Sequence, residues 1–132
     1  MTFSEKNSYL INGSNINNID SFYKEINRLF MGNEDFQISN LDGLEDLFSG
    51  GVGDIDIDQP IQIVWKDFEK NRIDLGKEVT IEWYEDSLKT KEFNHDYFKQ
   101  KIKDLQQDQG QTYFDIILEI MEENENIKLI KE

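Results

Sequence analysis

Apolar positions along this chain alternate between two periods. Ser8-Tyr9-Leu10-Ile11 is a short apolar run closed by the turn signal Asn12-Gly13, which predicts a buried strand. Asn17-Asn18-Ile19-Asp20 then offers helix caps, and Phe22, Ile26, Leu29 and Phe30 recur at helical spacing behind it. After a polar loop from Met31 to Ser39, Asn40 can cap a short second helix. Its Leu41, Leu44, Leu47 and Phe48 form one stripe, and Ser49-Gly50-Gly51 ends it.

The second half follows the same logic. Pro60 precedes Ile61-Gln62-Ile63-Val64-Trp65, a strand by its β-branched content, and Lys66 to Asn71 predicts a helical turn. Val79-Thr80-Ile81-Glu82-Trp83-Tyr84 alternates apolar and polar, so it predicts a half-exposed strand at a sheet edge or in a hairpin. Tyr97, Phe98, Ile102 and Leu105 predict a helix over 95–108, and Phe114, Ile117, Leu118 and Met121 a last helix. Ile127-Lys128-Leu129-Ile130 completes the series as a strand. Strands alternating with helices predict an α/β domain in which 8–11, 61–65 and 127–130 are parallel neighbours. With 132 residues and no internal repeat, the expectation is one domain over 1–132.

Charge changes this picture. Fourteen basic residues against 28 acidic ones leave −14, which argues against nucleic acid and anionic membranes as partners. The imbalance is patterned: residues 29–65 hold eight acids and no Lys or Arg, and residues 113–132 hold six acids and two bases. At 100° per residue, Asp42, Glu45 and Asp46 share the side of the second helix opposite its leucines. On the last helix Asp115, Glu119, Glu122 and Glu123 share a stripe away from Phe114 and Met121. A solvated helix face is the plain reading, but such faces usually mix both signs, because like charges four residues apart repel. Two faces without paired lysines point to a basic partner molecule.

Other chemistry is sparse. Without cysteine there are no disulfides or thiolates, in keeping with a reducing compartment, and no secretion signal or ~20-residue apolar span is read in the chain. A cytoplasmic protein, monomeric when free, is the expectation. Asp54-Ile55-Asp56-Ile57-Asp58 lacks the glycine and closing glutamate of a calcium loop, so no metal or cofactor is expected. His95 is the sole histidine, and no nucleophile motif accompanies it, so the chain does not read as an enzyme.

Three segments resemble the barstar family of ribonuclease inhibitors in order and spacing. They are Tyr9-Leu10-Ile11-Asn12-Gly13, Asn40-Leu41-Asp42-Gly43-Leu44-Glu45-Asp46-Leu47 and Pro60-Ile61-Gln62-Ile63-Val64-Trp65-Lys66-Asp67-Phe68-Glu69. The resemblance covers about 8–71 and, more weakly, 113–130; it implies a barstar-like α/β fold with a three-stranded parallel sheet packed by helices, and an inserted strand-helix segment around 72–112. It further implies an immunity or antitoxin protein whose second helix plugs the basic cleft of a ribonuclease or RNase toxin domain. Asn40 would cap that helix, Asp42 and Asp46 would enter the phosphate site, and Glu123 would touch the partner from the last helix. Phe36 keeps one aromatic of the family's loop, whereas Glu45 stands where the family usually has another. With the acidic faces, the expected partner-binding residues are Phe36, Asn40, Asp42, Glu45, Asp46, Glu119 and Glu123. The alternative is an acidic module on the same fold, directed at a basic protein that is not a nuclease.

Overall fold

The computed structural model describes residues 8–32, 34–50, 53, 55 and 58–132. Its central strand, β2 (Ile61–Lys66), lies between β1 (Ser8–Asn12) and β3 (Ile127–Lys131), and both pairings are parallel. Ile11 stands opposite Trp65, and Ile63 opposite Leu129. On one face Ile61, Ile63 and Trp65 are fully buried; on the other, Gln62 and Val64 are half-buried and Leu10 and Lys128 exposed.

The helices bury their apolar stripes against the first face. α1 (Ile19–Phe30) begins with a capping box between Asn18 and Ser21, and buries Phe22, Tyr23, Ile26 and Phe30. α2 (Leu41–Phe48) buries Leu44, Leu47 and Phe48. α3 (Phe68–Asp74) follows β2 directly, and α6 (Tyr113–Glu122) precedes β3 with Thr112 and Asp115 as its capping box. Phe22 of α1, Phe68 of α3 and Phe114 of α6 surround the Trp65 indole, with ring centroids 6.0, 5.6 and 5.3 Å away. Among the described residues no helix is long and apolar enough to cross a membrane.

The insert differs from expectation. Residues 79–84 form no strand: they belong to α4 (Lys77–Thr90), which pairs with α5 (His95–Gln106) as a helical hairpin. The apolar-polar alternation of Val79, Ile81 and Trp83 overlaps a helical stripe, Thr80, Tyr84 and Ser87, and this second set is what the fold buries. Tyr84, Phe98 and Leu105 form a small core of their own, so the segment is helix–helix rather than strand–helix. α5 also stops at Gln106, two residues short of the expected helix end.

A buried polar junction joins β1, β2 and α3. The Trp65 indole N–H donates to Asn71 Oδ1 at 2.8 Å, and Asn71 Nδ2 donates to the Gly13 carbonyl at 3.0 Å and that of Ile16 at 3.3 Å. A Cβ on Gly13 would lie 2.1 Å from the Lys66 carbonyl oxygen and 2.4 Å from Asn71 Oδ1. Gly13→Ala is therefore expected to lower stability by about 3 kcal/mol, read by chemical denaturation, because backbone must move to admit the methyl group.

Glu25 supplies a second junction. Its buried carboxylate accepts from the Asn12 backbone N–H at 2.7 Å and from Arg28 Nε and Nη2 at 2.8 and 2.7 Å. Burial alone would raise its pKa; the hydrogen bonds from Arg28, Asn12 and Asn15 outweigh that and hold it below the ordinary value. A carboxyl with a depressed folded pKa stabilises fully above its unfolded pKa, and that contribution is lost as pH falls through the folded one. Stability should therefore drop below about pH 4.3, and Glu25→Gln should flatten that part of the pH profile in thermal melts.

Candidate functional site

Each expected site residue can be placed. Asn40 caps α2, its side chain accepting from the Gly43 N–H at 2.8 Å. Gly43 sits close beneath this cap; a Cβ there would lie 3.3 Å from both Asn40 Oδ1 and Ile38 Cγ2. Asp42, Glu45 and Asp46 are exposed on the side of α2 away from its buried leucines, as the pattern implied. Phe36 is 50% exposed in the loop before the helix. Glu119 and Glu123 are exposed at α6 and its C-cap.

The two helices pack against each other, and Asn124 Nδ2 donates to the Phe48 carbonyl at 2.9 Å, tying the end of α6 to the end of α2. Their exposed carboxylates thus belong to neighbouring helices. Among the described residues Asp42, Glu45, Asp46 and Glu123 make no ion pair. The α6 stripe is less free than its sequence implied. Asp115 accepts from the Thr112 N–H at 3.0 Å as a cap, Glu119 accepts from Gln111 Nε2 at 2.6 Å, and Lys131 Nζ lies 3.8 Å from Glu122.

What holds this face was not visible in the sequence. Asn27 of α1 grips the backbone of Ile38, accepting from its N–H at 2.7 Å and donating to its carbonyl at 2.9 Å. That amide clamp fixes the segment that leads into α2. Tyr23 of α1 and Tyr113 of α6 share a buried hydroxyl–hydroxyl hydrogen bond; burial pushes both phenols up, Tyr113 to about 12. Thr80 of α4 accepts from the Tyr113 N–H at 2.7 Å and donates to the Gly76 carbonyl at 2.6 Å, which sets the start of α6. No local pattern reveals what Asn27 and Thr80 contact, because these partners lie 11 and 33 residues away.

The remaining candidates stay apart. Asp54 and Asp56 lie outside the described residues; among those described, no group of three or more His, Asp or Glu side chains is placed to hold a metal ion. His95 is exposed at the start of α5, with Nε2 2.5 Å from the Lys91 carbonyl oxygen. No family model matches the chain, and neither curated proteins nor solved structures return a match.

Asn27→Ala should loosen the entry to α2 selectively. Hydrogen exchange is expected to speed up at Ile38 and at the α2 amides that follow, while the amides of α6 keep their protection.

Proposed function

We propose that the chain is a non-enzymatic, barstar-type inhibitor that blocks the basic active site of a ribonuclease with the acidic face of α2 and α6. The observation that carries this reading is the set of exposed carboxylates on two packed helices, with Asp42, Glu45, Asp46 and Glu123 unpaired among the described residues. The parallel sheet and the Asn40-capped helix are in keeping with the resemblance drawn from the sequence.

The mechanism is mimicry of a phosphate. A ribonuclease cleft gathers Arg, Lys and His to stabilise phosphate oxygens, and carboxylates can accept the same charge-assisted hydrogen bonds. Asp42 and Asp46, four residues apart on α2, would occupy the phosphate site, with Glu119 and Glu123 at its flank. Because Leu44, Leu47 and Phe48 anchor α2 in the core, the carboxylates reach the partner with little entropy left to lose. Long-range attraction between the acidic face and a basic cleft would make association fast and salt-dependent. On this reading the protein works in the compartment where its target would otherwise cut RNA, the cytoplasm.

One observation favours a second reading, an acidic module for a basic protein that is not a nuclease. Glu45 is exposed where the resembled family usually has an aromatic. Both readings use the same face, and an RNase assay separates them.

Asp46→Ala decides the placement. Folding should change by no more than about 0.5 kcal/mol, since the side chain is exposed. Inhibition of a cognate ribonuclease should weaken by about 2–5 kcal/mol, because a cation in the cleft is left unpaired. Asp42→Ala should behave alike. Undiminished inhibition by Asp46→Ala would move the interface off α2.

A further inference from the structure

A cleft opens between α1 and the insert. Val79, Glu82, Trp83 and Asp86 stand at i, i+3, i+4 and i+7 on α4, so they share one side of that helix and form one wall. Ile19 and Asp20, in the first turn of α1, form the other. The space between them is about 290 Å³, at the lower end of the range for small-molecule sites, which suits a group of side-chain size. The cleft is built into the fold, because Tyr113 of α6 ties both walls. Its hydroxyl shares a hydrogen bond with that of Tyr23 on α1, and its N–H donates to Thr80 on α4 at 2.7 Å. The Trp83 ring packs edge-on against Tyr113, centroids 4.9 Å apart and planes at 88°, so the indole is a fixed wall. No Lys or Arg lines the space. Asp20, Glu82 and Asp86 are exposed, and among the described residues none of them makes an ion pair. Lys24 and Lys89 lie one turn along from Asp20 and Asp86, but they neither pair with them nor line the cleft.

We propose that this cleft binds a guanidinium group. The carboxylates call for a cation, and Glu82 and Asp86, four residues apart, repel each other until one arrives. Among the described residues no group of three or more His, Asp or Glu is placed to hold a metal ion, so these acids are not gathered around a point charge. The indole and the aliphatic side chains of Ile19 and Val79 call instead for a cation with a flat, weakly hydrated surface. A guanidinium spreads its charge over a plane that carries five N–H donors. Its face stacks on the Trp83 indole while its edge donates to carboxylates on either wall. An ammonium group is compact and strongly hydrated, and it would leave the indole face unused. Because Tyr113 already fixes both walls, binding orders little of the protein. The group arrives either on an arginine side chain of another protein or on a small free guanidine, and the chemistry of capture is the same.

Nitrogen–proton correlation NMR on the full chain tests this at about 0.15 M salt, with two probes, a capped Gly-Arg-Gly peptide and agmatine. The expected result is a saturable shift of the Trp83 indole N–H and of the amides of Ile19, Asp20, Glu82 and Asp86, with a Kd of about 1 mM. The Trp65 indole N–H, bonded to Asn71 in the core, should stay still. Tighter binding of the peptide points to a protein arginine as the source, and tighter binding of agmatine to a free guanidine; either result supports the site. Glu82→Gln with Asp86→Asn should weaken binding at least about tenfold, and because both side chains are exposed the variant stays folded. Trp83→Leu should weaken it at least about fivefold and Trp83→Phe less. The absence of saturable shifts overturns the proposal, as do shifts that butylammonium or potassium chloride reproduces at equal ionic strength. Shifts confined to α2 and α6, or unchanged by the carboxylate substitutions, also overturn it. None of the cleft residues belongs to the face assigned to a ribonuclease, so failure here is distinct from failure of the inhibitor reading.

Discussion

A buried indole needs a partner for its N–H, and much of this fold follows from how Trp65 finds one. The ring lies at the end of the central strand, fully buried and enclosed by phenylalanines from three helices. An unpaired donor there would cost about 1–3 kcal/mol. Asn71 accepts the proton, and its own amide then reaches the backbone of the turn after β1. One side chain thus sets the start of α3, the height of β1 and the identity of Gly13. The aromatic core can close only when these three agree.

The regular elements were legible where one period ruled. Strands β1, β2 and β3 and helices α1, α2 and α6 announced themselves through caps, turn glycines and unbroken apolar stripes. α4 did not, because two periods overlap in 79–84 and the choice between them depends on α6. Thr80 looked like an outward polar residue of a strand; it is buried because it meets the Tyr113 N–H. The candidate site divides in the same way. Its exposed acids follow from helix periodicity, whereas the clamp at Asn27 is a contact between elements that no local pattern records.

The insert accordingly has two faces in the structure. Inward, α4 sets the first turn of α6, since Thr80 and the Leu75 carbonyl receive the N–H groups of Tyr113 and Phe114. Outward, α5 presents lysines and aromatics in a protein otherwise dominated by carboxylates. The insert thereby supports the first turn of α6 while its own surface mixes both signs of charge.

Asn27 holds Ile38 by the backbone, as a neighbouring strand would, but through a single side-chain amide from a helix. Around that grip, Phe36, Gln37 and Ser39 all point into solvent. Their side chains can change without disturbing either hydrogen bond, because the amide reads only main-chain atoms. The fold thereby separates the part of the loop that must stay constant from the part that can vary. New recognition chemistry can accumulate at 36, 37 and 39 while the acidic helix behind them keeps its place.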